Sequence, residues 1–117
     1  MAEPEDFADI FVKFPNLKMT LDIGHAHIED AKGKRAVKFI ERFPERIDHI
    51  HISDNLGGAD NHLPVGAGSV NFHEIVQALK GIGYDETITL EVFSKDRDYL
   101  KMSRNKVAAM FAAIHKD

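Results

Sequence analysis

The stretch Ile47–Ile52, IDHIHI, alternates polar and apolar residues from His49 onward, with histidine at both polar positions of that run. In a strand, successive side chains point to opposite sides, so Ile50 and Ile52 share one face and His49 and His51 the other. Two further stretches have the same habit. In KMTLDI, Lys18–Ile23, the residues Met19, Leu21 and Ile23 lie opposite Thr20 and Asp22. In TITLEV, Thr87–Val92, the residues Ile88, Leu90 and Val92 lie opposite Thr87, Thr89 and Glu91. An open sheet held between two helix layers needs both faces apolar. A sheet with one apolar face, and one that turns polar toward the carboxyl ends of its strands, fits the inner wall of a barrel below an active site.

Between these strands the pattern is helical. Pro4-Glu5-Asp6 reads as a helix start, with Phe7, Ile10, Phe11 and Phe14 at helical spacing and Pro15-Asn16 as the stop. Lys34–Phe43 places Val37, Phe39, Ile40 and Phe43 largely on one side, and Pro44 follows it. Asn71-Phe72-His73-Glu74 resembles a capping box. The helix it opens carries Ile75, Val76, Leu79 and Ile82, with Gly81 and Gly83 at its end. A last long helix is expected over Asp96–His115. Strand-helix alternation of this kind implies parallel strands joined by right-handed crossovers. Three strands do not close a barrel, so the expected fold is part of one.

The chain has 117 residues, which bounds it to one domain or a piece of one, and we take 1–117 as a single unit. A formal net charge of -4 gives no electrostatic grip on nucleic acid or an anionic membrane. No apolar run approaches the ~20 residues of a membrane span. The absence of cysteine removes disulfides and thiolate ligands, and is consistent with a cytoplasmic protein. Any metal would therefore be held by nitrogen and oxygen.

The residues at or just beyond the strand ends are Asp22, His25, His51, Asp60, His62 and Glu91. With the strands parallel and adjacent, Asp22, His51 and Glu91 meet at one rim. A carboxylate-imidazole set without thiols suits a divalent ion: zinc or manganese first, with iron, cobalt or magnesium as alternatives. Each residue also has an ordinary reading. Asp22 before Gly24 can be turn chemistry, His51 a satisfied core histidine, and Glu91 a solvated edge charge. Three such exceptions at matching positions are harder to account for than one. Asp60, in the loop GADNHLPVGAG (Gly58–Gly68), can also close an Asx-turn. His27 and His73 read as surface residues, and His49, deeper on the side of His51, as a packing group or a support for a ligand rather than a ligand itself. Gly66 and Gly68 are a weak phosphate-loop signal, since no longer glycine motif surrounds them.

The segments LDIGHAH, HIHISDN, DNHLPVGAGSVNF and GYDETITLEVF, spread over Leu17–Phe111, resemble the C-terminal part of xylose isomerase-like TIM barrels. That superfamily holds sugar and sugar-phosphate isomerases and epimerases, and the type-2 apurinic endonucleases. The resemblance implies a partial (β/α)8 barrel of about three βα units. It implies Asp22, His51 and Glu91 as ligands of a catalytic metal, with Glu91 also an acid/base. It makes His25 a substrate contact in epimerase-like members, or a ligand of a further metal in endonuclease-like ones, where Asp60 and His62 match a DxH metal pair. The partner it implies is a small sugar or sugar phosphate; the runner-up is a zinc phosphodiesterase acting on abasic DNA.

The superfamily normally supplies another glutamate from a strand ahead of the first helix, and this sequence starts after that point. Glu3 and Glu5 belong to the helix start and are not expected in that role. A third reading is therefore a non-catalytic assembly module. Three strands leave unpaired edges and an open polar wall, which self-association covers. We expect a dimer or higher oligomer; a light-scattering mass of a single 13.1 kDa chain at micromolar concentration contradicts this.

Overall fold

Alternating apolar residues drive Leu21, Ile50 and Ile52 against one layer of helices, where each is at most 1% exposed. The computed structural model describes residues 2–114. In chain order it contains α1 (Glu5–Lys13), β1 (Met19–Asp22), α2 (Ile23–His27), α3 (Arg35–Arg42), β2 (Ile47–Ile52), α4 (Phe72–Gly81), β3 (Thr87–Leu90) and α5 (Arg97–Ala113). The strands form one parallel sheet in the order β1-β2-β3. Asp22 pairs with His51, and His51 with Thr89. The core fills the helix-facing side with Phe11, Phe39, Ile40, Phe43, Ile75 and Leu79, among others. The opposite side, with Thr20, His49, Thr87 and Thr89, is exposed or half-buried and bears no helix among the described residues. This is the one-sided, partial barrel wall that the alternation predicts.

Local chemistry sets the element boundaries. The Asn71 side chain caps α4 by accepting from the Glu74 amide at 3.1 Å. The return half of the capping box is not made: the Glu74 carboxylate instead accepts from the Asn71 side-chain amide at 3.3 Å and from Lys34 at 2.5 Å. Arg46 closes the α1-β1 connection. Its guanidinium donates to the carbonyls of Phe11, Phe14, Pro15 and Leu17 and lies over the Phe11 ring, 4.9 Å from the centroid.

The boundaries depart from the sequence reading in three places. β1 stops at Asp22 because the Asp22 side chain caps an unexpected short helix, α2, by accepting from the His25 amide. β3 stops at Leu90, although the Glu91 amide still donates to the Ile52 carbonyl at 2.8 Å. Asp96 caps α5 through the Asp98 amide, and the expected end at His115 lies outside the described residues.

The long β2-α4 loop is organised by Asp54, which is fully buried. Oδ1 accepts from the amides of Asn55 (2.9 Å) and Val70 (3.1 Å). Oδ2 accepts from the amides of Gly66 and Gly68, both at 2.9 Å. The Asp54 backbone makes a reciprocal antiparallel pair with Leu63, both bonds at 2.9 Å. Asn55 adds a bond from its side-chain amide to the Gly24 carbonyl at 2.9 Å, tying the loop to α2. Gly68 is demanded by close approach, since a Cβ there would lie 2.3 Å from the Asn55 carbonyl oxygen and 2.4 Å from Asp54 Oδ1.

Asp54→Ala removes the acceptor of four loop amides. Hydrogen bonds to a charged group contribute ~1.5–3 kcal/mol each, so the loss is expected to exceed ~4 kcal/mol in urea unfolding. Gly68→Ala is expected to cost at least ~1 kcal/mol by overpacking, while Asp9→Ala, at an exposed position of α1, stays within about 0.5 kcal/mol. Parent-like stability of Asp54→Ala contradicts the role given to this carboxylate.

Candidate metal centre

Parallel register brings Asp22 from the end of β1, His51 from β2 and Glu91 from just past β3 onto one rim. One ligand atom from each falls within 4.8 Å of the others. His51 Nδ1 lies 2.7 Å from Glu91 Oε1 and 3.9 Å from Asp22 Oδ2. All three side chains are partly sheltered, with 19%, 32% and 27% exposure for Asp22, His51 and Glu91. Capping of α2 engages Asp22 Oδ1, which leaves Oδ2 facing the cluster. Two carboxylates and an imidazole converging in this way fit a hard or borderline divalent cation, which offsets the carboxylate repulsion.

The other three candidates gather beside this group. His25, half exposed, sits with Nδ1 3.3 Å from Asp22 Oδ2 and Nε2 2.6 Å from Asp60 Oδ2. Asp60 Oδ2 is also 3.0 Å from His62 Nε2, whereas Asp60 Oδ1 is buried with no hydrogen-bond partner. His62 Nδ1 is 3.0 Å from the Glu91 carbonyl oxygen, so both ring nitrogens face oxygen atoms. The ring stacks on Phe93, 4.0 Å between centroids and 9° between planes. His62 adopts φ 52°, an uncommon left-handed conformation for a residue with a side chain. The loop therefore folds over the rim and is fastened to the end of β3, as the placement of Asp60 and His62 in a bending segment suggests. All six residues share the rim, in two groups, Asp22–His51–Glu91 and His25–Asp60–His62, joined through the His25–Asp22 contact.

Of the remaining histidines, His73 is exposed, whereas His27 is half-buried and lies 2.8 Å from Ser69 Oγ. His49 packs edge-on against His51. Gly66 and Gly68 do not form a phosphate loop, because their amides already face the carboxylate of Asp54. Sequence reasoning missed Asp54 and Asn55. The available signal was an acid directly after a buried strand and ahead of a glycine-rich loop, a place where free amides need an acceptor. Glu3 pairs with Arg35 at 2.9 Å and does not reach the rim through that contact.

Comparison with known proteins gives the family and the fold. The sequence matches the xylose isomerase-like TIM barrel family over residues 1–112. An uncharacterized protein of Methanocaldococcus jannaschii is 38% identical over 119 aligned positions, covering 90% of this chain and 39% of the relative. A D-psicose 3-epimerase of Enterocloster bolteae is 32% identical, covering 78% of this chain and 27% of the relative. Among solved structures, a D-tagatose 3-epimerase-like protein superposes with a TM-score of 0.78 at 35% identity, over 96% of this chain and 42% of that one. The IolI protein crystallised with a zinc atom shares the fold at a TM-score of 0.63 and 18% identity, over 92% of this chain and 42% of that one. The chain thus spans about two fifths or less of the length of these relatives. It belongs to the xylose isomerase-like TIM barrel family and comprises three of the barrel's parallel strands with their helices.

Proposed function

We propose that Asp22, His51 and Glu91 hold a divalent ion, zinc or manganese, in a barrel that isomerises or epimerises a small sugar or sugar phosphate. The observation that carries this reading is the convergence of one ligand atom from each residue within 4.8 Å. The likeness to a D-psicose 3-epimerase and to a D-tagatose 3-epimerase-like structure supports the substrate class.

A bound divalent ion would polarise a sugar carbonyl and its neighbouring hydroxyl. The chain's own residues then have separate tasks. Glu91, partly sheltered and close to His51, is positioned to take or return a proton at carbon while serving as a ligand. His25, the most exposed of the cluster, is placed to hydrogen-bond a substrate hydroxyl. The loop carrying Asp60 and His62 covers one flank of the rim and helps to exclude water. The resemblance implies a second glutamate as the partner of Glu91 in proton transfer, and no described residue at this rim takes that place. Self-association of the 117-residue chain remains part of the proposal, since the polar wall at Thr20, Thr87 and Thr89 is exposed among the described residues.

The His25–Asp60–His62 group is the one observation that favours a zinc phosphodiesterase acting on abasic DNA. A net charge of -4 weighs against it, because phosphate binding is driven by basic residues. Salt-dependent binding of abasic DNA, with no epimer formed from ketoses, reverses the choice.

Calorimetry on the metal-stripped chain is expected to show zinc or manganese binding that His51→Ala abolishes. Loss of one acid/base group costs ~10²–10⁴-fold in rate, so little or no ketose epimerisation is expected from this chain alone. Absence of any divalent-ion binding tighter than millimolar, or unchanged binding by His51→Ala, contradicts the assignment.

A further inference from the structure

A metal-ligating imidazole usually has its second nitrogen tied to a carboxylate, carbonyl or water, which fixes both the tautomer and the ring plane. His51 has no such tie. Its Nδ1 faces Glu91 and Asp22, and no described residue hydrogen-bonds its Nε2. The ring is also 32% exposed, so packing on all sides does not confine it.

The group in place to confine it is His49. The two rings lie 4.8 Å apart between centroids at 88°, an edge-to-face contact. His49 is itself held twice by β3, with Nδ1 bonded to Thr87 Oγ1 and Nε2 3.1 Å from Thr89 Oγ1. Hydroxyls donate or accept as required, so both nitrogens are satisfied in either tautomer. Thr87 and Thr89 alternate onto the same side as Glu91, so the strand that fixes His49 also carries the carboxylate His51 must meet.

We propose that His49 is a positioning residue: the edge-on contact of its ring holds the His51 imidazole with Nδ1 turned toward Glu91 and Asp22. The consequence for metal affinity rests on the metal-centre reading, whereas the ordering of His51 is a property of the metal-free chain.

The test compares the parent, His49→Ala, which removes the ring, and His49→Phe, which keeps a ring without the nitrogens. Long-range proton-nitrogen spectra of the metal-stripped chains at pH 8 are expected to show the parent His51 protonated on Nδ1 toward Glu91. His49→Ala should give a mixture of tautomers, and His49→Phe should recover the parent pattern. Zinc titration of the same chains should show ~10-fold weaker binding for His49→Ala and near-parent binding for His49→Phe. If His49→Ala leaves the His51 signals unchanged, the positioning role is overturned. Equal losses in both variants also overturn it, because the ring contact is then not the device. Altered His51 signals in His49→Ala, together with a parent that binds no zinc, keep the role and reject the metal-centre reading instead.

Discussion

A buried carboxylate survives in a fold only if other groups replace the water it lost, and Asp54, with no cation partner among the described residues, collects four hydrogen bonds from backbone amides. The relation runs both ways. Without Asp54, the amides of Asn55, Gly66, Gly68 and Val70 would need other acceptors in a loop that makes no helix or sheet. With it, the path from β2 to α4 is drawn inward at both ends, and the middle of the loop is pushed over the rim. That middle carries Asp60 and His62. The position of half of the candidate site therefore depends on a residue that touches none of it.

The other half depends on strand register. A shift of one residue in β2 would turn His51 to the helix side and Ile50 to the rim, so burial of Ile50 and Ile52 enforces the location of the histidine. Packing energy on the apolar face thus sets the chemistry on the polar face. The capping of α2 adds to this, because one oxygen of Asp22 is committed to the His25 amide while the other is left to the cluster. A short helix of five residues contributes little stability, yet it decides which way a carboxylate points and brings His25 to Asp60.

The parts legible in the sequence were those with a period. Alternation in IDHIHI and TITLEV gave the strands, their faces and the rim on which Asp22, His51 and Glu91 meet, and the helical spacing around Phe39 and Ile75 located the helices covering them. What escaped was set by single side chains acting on nearby or distant backbone. The end of β1 was misplaced by one residue because nothing periodic distinguishes an aspartate in a strand from one capping a helix. Asp54 and Asn55 were passed over because their partners lie up to 31 residues away in sequence and become acceptors and donors only once the loop is folded. The glycines at 66 and 68 were visible as a motif, but what they face, an internal carboxylate in place of a ligand, was not.

The central claim is that one ion occupies the rim between Asp22, His51 and Glu91, and anomalous diffraction at the zinc edge from crystals of the zinc-loaded chain tests it most directly. The account predicts a single strong peak ~2.0–2.2 Å from His51 Nδ1 and from one oxygen each of Asp22 and Glu91. A peak lying instead among His25, Asp60 and His62, with none at His51, would contradict it.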